Sequence, residues 1–472
     1  MSESWARSQH ASLRALIGAD AVLTRPEDTL AFEIDQRRLY RGRALAVALP
    51  RELGQVATLI AWCNQQHIAV VPQGGNTGYC GGATPDESGR ELVLSMRRLN
   101  RVRAIDAANF SMTVEAGCVL VQVQQAAEAA ERYFPLSLGA EGSCQLGGNL
   151  ATNAGGVNVL RYGMTRDLVL GIEAVLADGS VLHGLKSLRK DNTGYDLKSL
   201  LIGSEGTLGV ITAATLKLWP KIRSRATALV GISSPANALG LLALLRSAGA
   251  DRLSSFELLP RIAIELTMRH ISGVSDPLPQ PYPWYALCEL SSGATEGLDE
   301  LLEKILGQAL ASSLIQDAAL ATSERVRLAF WRLRETVPEA QRHEGLSLKH
   351  DISVPVASLP DFIDEASRWV RENVPEGVLV CYGHAGDGNL HFNISCADRK
   401  YNEAFLARES GIHRAIHDLV ARYRGSFSAE HGIGRLKREE LQRYCSPVAL
   451  ASMQAIKHAL DPNGIMNPGK VL

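Results

Sequence analysis

The sequence lacks several features that would assign a function class at once. Its eight cysteines are scattered, and none forms the Cys-x-x-Cys spacing of iron–sulfur, haem-attachment or redox motifs. No apolar run reaches the length of about 18 residues that spans a bilayer. With 49 Lys and Arg against 50 Asp and Glu, the net charge is −1, which indicates neither nucleic acid nor an anionic membrane as partner.

The beginning of the chain also lacks targeting features. Residues 1–14 are polar and of mixed charge, without the apolar segment of a signal peptide, and they make a poor transit peptide. A disulfide framework is not expected in a chain of this size, so the thiols are predicted to be reduced. We therefore expect a cytoplasmic protein that does not span a membrane.

Glycine is abundant and clustered. After a predicted strand at 68–71, residues 72–82 read PQGGNTGYCGG; further clusters lie at 138–156 and 203–212. Glycine loops allow backbone amides to approach a ligand closely, as in pyrophosphate binding. Three such loops on a β-rich scaffold suit a large, extended cofactor. No dinucleotide fingerprint or P-loop is present, and mobile surface loops are the alternative explanation.

Two histidine motifs follow later in the chain. One is YGHAGDGNLHFN at 382–393, which brings His384 and His391; the other is SAEHGIG at 428–434, which brings Glu430 and His431. Histidines and a carboxylate on short turns can hold a metal ion and leave one base to spare. Ordinary turn histidines are the alternative.

Two cations stand out in the middle of the chain. A helix is predicted at 324–342, with Arg334 at the edge of its apolar stripe. A strand is predicted at 346–351, with Ser347, Lys349 and Asp351 on one face. The two cations could clamp a carboxylate, although a snorkelling Arg and a solvated Lys would explain the same pattern.

These motifs together resemble the FAD-linked 2-hydroxy-acid dehydrogenases of the vanillyl-alcohol oxidase (PCMH-type) superfamily. The likeness runs through SLGAEGSCQLGGNLATNAGG at 137–156, LRYG at 160–163, SLRKDNTGYDLKSLLIGSEGTLGVIT at 187–212 and DPNGIMNPGK at 461–470, and covers the chain beyond about residue 40. The 187–212 run and the histidine motifs are similar to the 2-hydroxyglutarate, D-lactate and glycolate branch.

The resemblance implies an α+β fold with four parts. These are an N-terminal arm (1–40), a two-lobed PCMH-type FAD-binding domain (41–221), an α+β substrate-binding cap domain (222–423), and a helical C-terminal segment (424–472) that carries Glu430 and His431 and packs back on the FAD domain.

It also implies residue roles. His431 would be the catalytic base; His384, His391 and Glu430 would hold a divalent metal, usually zinc; Arg334, Lys349 and Asn393 would bind substrate. Pro338 departs from relatives that carry a hydroxyl there. The first glycine loop has no His, so FAD is expected to be non-covalent. The implied FAD-binding residues are Pro72, Gly74, Gly75, Asn76, Thr77, Gly78, Gly139, Ser143, Gly147, Gly148, Asn149, Thr152, Asn153, Gly155, Gly156, Glu205, Gly206, Gly209, Ile211 and Asn467.

The expected reaction is oxidation of (R)-2-hydroxyglutarate to 2-oxoglutarate, with hydride transfer to flavin N5. Two cations suit a dicarboxylate better than lactate, but D-lactate, D-malate and glycolate remain alternatives, as does a non-catalytic flavin-binding subunit. A metallohydrolase would leave the glycine loops unexplained. The resemblance implies an electron-transfer flavoprotein or a quinone-linked partner as electron acceptor, and a homodimer is considered because relatives are often dimeric.

Overall fold

The fold is described from a computed structural model, over residues 3–295 and 297–472. The chain divides into two units. Unit 1 comprises residues 1–156, 163–221 and 430–472, and unit 2 comprises residues 157–162 and 222–429. The predicted helix at 296–310 begins at a residue outside the described ranges, and the structure has this helix at Leu298–Ala311.

Helices and strands alternate along the chain. The helices are α1 (Glu3–Ile17), α2 (Pro26–Glu33), α3 (Leu53–Gln66), α4 (Leu120–Ala129), α5 (Leu146–Ala151), α6 (Val159–Tyr162), α7 (Leu197–Leu201), α8 (Pro235–Gly249), α9 (Arg261–His270), α10 (Leu298–Ala311), α11 (Glu324–Glu335), α12 (Val337–Glu344), α13 (Leu359–Asn373), α14 (Asn402–Ala407), α15 (Glu409–Arg422), α16 (Arg438–Tyr444) and α17 (Pro447–Leu460). The strands are β1 (Val22–Leu23), β2 (Ala44–Ala48), β3 (Val70–Gln73), β4 (Glu91–Ser95), β5 (Val102–Asp106), β6 (Ser111–Glu115), β7 (Arg132–Tyr133), β8 (Val169–Val175), β9 (Val181–Gly184), β10 (Val210–Lys217), β11 (Trp219–Pro220), β12 (Ser224–Ile232), β13 (Leu253–Pro260), β14 (Trp284–Ser292), β15 (Asp317–Leu320), β16 (Ser347–Leu348), β17 (Asp351–Ser353), β18 (Gly377–Tyr382) and β19 (Asn389–Cys396).

Unit 1 contains two larger sheets. In the first, of order β1-β2-β4-β3, the strands β2 and β3 pair with β4 in parallel, because α3 carries the chain back between them. The second is antiparallel, of order β5-β6-β10-β8-β9. The strands predicted at 44–49, 68–71 and 92–96 are thus confirmed within two residues. The first glycine loop begins at the carboxyl end of β3, where α/β sheets commonly bind ligands.

Unit 2 contains an antiparallel sheet of order β13-β14-β12-β15. Its strands are buried and largely apolar, and alternate side chains join two different hydrophobic cores. Leu258 belongs to the core that includes residues of α8 and α10, whereas Leu259 belongs to the core that includes residues of α9, α11 and α12. Between helix layers, a charged residue on such a strand needs a partner.

The second sheet of unit 2 centres on β19, which pairs with β16, β17 and β18. The prediction of one strand at 346–351 is wrong, because the structure has two short strands interrupted at Lys349 and His350. His350 Nδ1 donates to the Phe392 carbonyl at 2.8 Å, so a side chain takes the bond that a backbone N–H makes in a regular ladder. The register is the same on both sides, with Ser347 opposite Ser395 and Asp351 opposite His391.

The single helix predicted at 324–342 is also wrong. α11 ends at Glu335 and α12 begins at Val337, with Pro338 in its first turn. Proline has no N–H to donate, and its ring collides with the carbonyl four residues earlier, here that of Arg334. The break leaves Arg334 in the last turn of α11, where it is buried.

Candidate active site

A cavity in unit 1 is lined by all three predicted glycine loops. Its volume is about 980 Å³, part of which is open to solvent. Predicted FAD-binding residues that line it are Pro72, Gly74, Gly75, Asn76, Thr77, Gly78, Gly147, Gly148, Asn149, Thr152, Glu205, Gly206, Gly209 and Ile211. The remaining predicted ones lie outside its lining: Gly139, Ser143, Asn153, Gly155, Gly156 and Asn467.

Two glycines show what the absence of a side chain does in these loops. A Cβ on Gly75 would lie 2.3 Å from the Ser143 carbonyl oxygen, so the first two loops pack backbone to backbone there. A Cβ on Gly148 would meet no protein atom within 4 Å, because that side of the backbone faces open space. The second loop therefore offers bare backbone to whatever fills the cavity.

The cavity also contains buried acceptors that the protein does not satisfy. Gln145 Oε1 and Asn149 Oδ1 are buried, belong to lining residues and have no hydrogen-bond partner among the residues that the structure describes. Leaving such an atom unsatisfied costs about 1–3 kcal/mol, so a ligand that donates hydrogen bonds would be stabilised here. FAD carries such donors in its isoalloxazine imide, ribityl hydroxyls and adenine amine. The residues present therefore fit FAD.

The turn after His431 is held by the half-buried carboxylate of Glu205. Glu205 Oε1 accepts from the Ile433 N–H at 2.7 Å, and Oε2 accepts from the Gly434 N–H at 2.8 Å. A Cβ on Gly432 would lie 2.7 Å from Glu205 Oε1, so the turn fits tightly over this side chain. Burial raises the pKa of Glu205, while the two N–H groups and Lys437 lower it.

His431 itself lines the cavity of unit 1. Its ring meets the edge of Tyr79, with 4.9 Å between ring centroids and an interplanar angle of 82°. Tyr79 lies in the first glycine loop, and Glu205 lies in the third. The imidazole is thus positioned by two of the three loops that line the cavity.

In unit 2, Glu257 joins two of the predicted site residues. His384 Nδ1 lies 2.5 Å from Glu257 Oε1, and Arg334 Nε lies 2.5 Å from Glu257 Oε2. Burial alone would raise the pKa of Glu257, but Arg334 and His384 bring it down to about 2. Arg334 also stacks over Tyr382, with its guanidinium carbon 4.9 Å from the ring centroid. Glu257 therefore fixes both a predicted metal ligand and a predicted substrate cation.

The β19 sheet presents a polar face. His391 lies opposite Asp351 on β17 and Tyr382 on β18, and the shared register places Lys349 opposite Asn393. Side chains paired in this way share a face of the sheet. This face therefore carries two predicted substrate residues, one predicted metal ligand and one carboxylate that the sequence analysis had given no role.

α12 contributes a further polar side chain to this region. Gln341 is fully buried, and its Oε1 accepts from Asn393 Nδ2 at 3.0 Å. Asn389 Nδ2 donates to Asp351 Oδ1 at 3.0 Å. These bonds hold the amide of Asn393 and the carboxylate of Asp351 in fixed orientations.

The donor set of unit 2 suits a divalent metal. Because Glu257 accepts from His384 Nδ1, the neutral ring carries its lone pair on Nε2, as a metal-binding histidine backed by a carboxylate does. A carboxylate oxygen of Asp351 and a ring nitrogen of His391 lie within 4.8 Å of one another. The third predicted metal ligand, Glu430, and the predicted base, His431, belong to unit 1.

Sequence reasoning missed Glu257, Gln341 and a role for Asp351. The pattern did place Asp351 on the face of Lys349, so its position could be found. Glu257 gave a weaker signal, a single charge in an otherwise uncharged strand, and its partners lie 77 and 127 residues away. The position of Gln341 in this region depends on the helix break at Pro338, which the sequence analysis did not predict.

Comparison with known proteins gives the same picture. Residues 221–471 match the family described as FAD linked oxidases, C-terminal domain, and residues 44–184 match the FAD binding domain. The probable mitochondrial D-2-hydroxyglutarate dehydrogenase of Oryza sativa subsp. indica is 39% identical over 461 residues, covering 97% of this chain and 80% of the rice protein. The mitochondrial D-2-hydroxyglutarate dehydrogenase of Bos taurus is 41% identical over 453 residues, covering 96% and 81%.

A solved structure supports the fold. Substrate-bound p-cresol methylhydroxylase superposes with a TM-score of 0.78 at 16% identity, covering 100% of this chain and 97% of the other. The predicted fold class and FAD as cofactor are confirmed. No helix in the described part of the chain is long and apolar enough to cross a membrane.

The expected cytoplasmic location is wrong. The relatives from rice and cattle are named as mitochondrial proteins, which points to mitochondria instead. The expectation depended partly on reduced thiols, and all eight cysteines are free. Free thiols argue only against an oxidising compartment and do not distinguish among reducing ones.

Proposed function

Because the chain belongs to the family of FAD-linked 2-hydroxy-acid dehydrogenases that includes D-2-hydroxyglutarate dehydrogenase, we propose that it oxidises (R)-2-hydroxyglutarate to 2-oxoglutarate. FAD-dependent hydroxy-acid oxidation follows from the family, and the choice of acid is the proposal. The observation that carries it is the polar region of unit 2, where Glu257 orients Arg334 and where Lys349 and Asn393 share a sheet face.

The reaction removes a hydride from C2 and a proton from the hydroxyl group, which leaves a carbonyl. Bound FAD supplies the hydride acceptor. His431 is the proposed base, since an imidazole titrates near neutral pH. Its ring stands against Tyr79, and the turn that follows it is bonded to Glu205, so little reorganisation is needed when the proton moves.

A divalent cation, zinc by family resemblance, is proposed to be held by His384, His391 and Glu430. Such an ion lowers the pKa of a coordinated hydroxyl group. Glu257 fixes the His384 tautomer that coordination requires, which supports a ligand role for that ring. Asp351, beside His391, is a further proposed ligand that the sequence analysis had not assigned.

The substrate carboxylates are proposed to meet Arg334, Lys349 and Asn393. The pair with Glu257 uses Arg334 Nε, and a guanidinium has four more N–H donors on Nη1 and Nη2. The charge balance differs from the expectation of two uncompensated cations, because the Glu257 carboxylate offsets the charge of Arg334. That observation favours D-lactate as the second candidate, with D-malate and glycolate behind it.

Electrons are proposed to leave the flavin to a separate carrier, an electron-transfer flavoprotein or a quinone-linked partner. No haem or iron–sulfur cysteine motif occurs in the sequence to receive them.

A substrate series tests the proposal. Anaerobic flavin bleaching is measured with (R)-2-hydroxyglutarate, D-lactate, D-malate and glycolate, before and after chelator treatment, with metal content determined in parallel. We expect the highest kcat/KM for (R)-2-hydroxyglutarate, its loss with the metal, and recovery on adding zinc. Equal values for (R)-2-hydroxyglutarate and D-lactate would refute the substrate assignment, and full activity after metal removal would refute the metal role.

A further inference from the structure

One surface of unit 1 is unusually exposed and has no place in the proposed chemistry. Residues 186–197, which include all but the last residue of the motif LRKDNTGYDLK at 188–198, form a continuous exposed segment. Tyr195 is 97% exposed, Leu188 55% and Leu197 46%. Large apolar side chains grouped this closely on a surface mark interaction sites, and tyrosine is a frequent anchor in them.

The exposed segment has a defined conformation. Asp191 accepts from Lys186 Nζ at 2.6 Å and from Thr193 Oγ1 at 2.5 Å. Asn109 Nδ2 donates to the Ser187 carbonyl at 3.0 Å, which ties the segment to the preceding antiparallel hairpin. A surface ordered in advance loses less conformational entropy when a partner binds.

A cationic groove runs beside the segment. Its lining contains five cations, Arg166, Arg189, Lys190, Lys198 and Lys217, against three carboxylates, Asp167, Asp191 and Asp196. The groove thus has two excess positive charges on a chain whose net charge is −1. Burial lowers the pKa of Lys217, and the nearby charges of Arg189 and Lys198 lower it further against the opposing effect of Asp167.

One residue of the groove, Arg166, is bonded to two segments that also contribute to the lining of the FAD cavity. Arg166 N–H donates to Asn153 Oδ1 at 2.9 Å, and Arg166 Nη2 donates to the Ile202 carbonyl at 2.7 Å. Thr152 and Leu201, the neighbours of these two residues, line the cavity. Arg166 therefore links the groove lining to two segments that contribute to the cavity lining. Because electron transfer slows steeply with distance, this is a favourable place for an acceptor to approach.

We propose that the surface formed by residues 186–198, with Arg166 and Lys217, is the docking site for an acidic electron-carrier protein that reoxidises the flavin. The docking proposal rests on one part of the proposed function, the transfer of electrons from the flavin to a separate carrier. Lysines and arginines steer an acidic carrier to the surface, and Tyr195 and Leu188 give apolar contacts once it has arrived. Each reduced flavin delivers two electrons to two one-electron carriers, and its protons pass to solvent.

The test measures reoxidation separately from substrate oxidation. The flavin of the FAD-loaded enzyme is reduced anaerobically with dithionite, excess reductant is removed, and reoxidation is followed by stopped flow. The probe is a flavodoxin of strongly negative net charge, and the control probe is the same flavodoxin with its surface carboxylates amidated. R189E/K190E is compared with R7E/R14E, which makes the same change of charge on α1, and with Y195A.

For wild type we expect a second-order rate constant that falls as KCl rises, since salt screens exposed charges beyond about 10 Å at 0.1 M. R189E/K190E should lower this constant by about tenfold at low salt, as loss of steering does, while R7E/R14E should not. Y195A should slow reoxidation at all salt concentrations. Amidated flavodoxin should show no dependence on salt or on R189E/K190E.

Three results would overturn the proposal: equal reoxidation rates for R189E/K190E and R7E/R14E, dissociation of a dimer by R189E/K190E with unchanged reoxidation, or binding of this surface to anionic vesicles in place of flavodoxin. Because dithionite reduces the flavin, failure of (R)-2-hydroxyglutarate to do so would refute the substrate assignment and leave the docking test intact. Unchanged flavin spectra in all variants verify that they are folded.

Discussion

Replacing Glu257 with glutamine should separate the two roles that its carboxylate serves. The change keeps the volume of the side chain but removes the charge that Arg334 and His384 share. Either Arg334 Nε or His384 Nδ1 would then face the NH2 group of the glutamine amide in place of a carboxylate oxygen. Arg334 is only 6% exposed, so water cannot easily replace the lost partner.

The size of the effect can be worked out in two ways. The pKa of Glu257 is lowered from 4.5 to about 2, which corresponds to about 3 kcal/mol at neutral pH. Breaking a buried ion pair by removing one partner costs about 3–5 kcal/mol. Because the folded-state pKa is the lower one, this stability is present above about pH 4.5 and is lost as the pH falls towards 2.

The assay is thermal unfolding at pH 7 together with anaerobic flavin reduction. E257Q should lower the Tm by roughly 6–20 °C for a unit of this size, and it should also slow reduction by (R)-2-hydroxyglutarate. E289Q is the matched control, because Glu289 is buried on β14 of the same sheet and its carboxylate is bonded to Trp331 and Arg327, neither of which is a predicted site residue. It should lower the Tm while flavin reduction stays close to wild type.

A double variant checks the physical reasoning. In E257Q/R334M no unpaired guanidinium is left buried, so the loss of stability should be smaller than the sum of the two single losses. Flavin reduction should remain slow because the proposed substrate cation is absent. A Tm for E257Q within 2 °C of wild type, or equal slowing of flavin reduction by E257Q and E289Q, would refute the account of this site.

Three further predictions concern unit 1. Gly148→Val places a side chain in the cavity, so the FAD Kd measured by fluorescence titration should rise by about 100-fold while the Tm of the apoprotein stays unchanged; tight FAD binding would contradict the cavity assignment. Glu205→Gln should slow flavin reduction about tenfold by loosening the turn after His431, whereas an FAD Kd raised in proportion would mean that Glu205 binds the cofactor instead. Burial would raise the pKa of Glu115, but the guanidinium groups of Arg101 and Arg103 lower it overall. The wild-type protein should therefore be more stable than E115Q at pH 7, and this advantage should shrink as the pH falls through the folded-state pKa of Glu115. A difference in the free energy of urea unfolding that grows towards pH 3 would contradict this prediction.

The sequence made the glycine loops and their strands predictable because both signals are local. Alternating or continuous apolar residues define β2, β3 and β4, and the glycines follow directly after a strand. That His391 and Asn393 share a face of β19 follows from an equally local rule, since side chains alternate along a strand.

What escaped prediction depends on long-range or side-chain effects. The strand break at His350 arises because an imidazole takes a ladder bond, which no periodicity reveals. The helix break was a missed local signal, since Pro338 was read for its absent hydroxyl and not for its effect on the backbone. The partnership of Glu257 with Arg334 and His384 joins three distant segments, so only the folded chain displays it.

The central claim is that this chain oxidises (R)-2-hydroxyglutarate at C2. It is tested most directly by anaerobic stopped-flow measurement of flavin bleaching with (R)-2-hydroxyglutarate, with the same acid deuterated at C2, and with the (S) enantiomer. The account predicts rapid bleaching by the (R) acid, several-fold slower bleaching by the deuterated acid, and none by the (S) acid. A flavin that stays oxidised with the (R) acid, or that bleaches equally fast with both enantiomers, would contradict it.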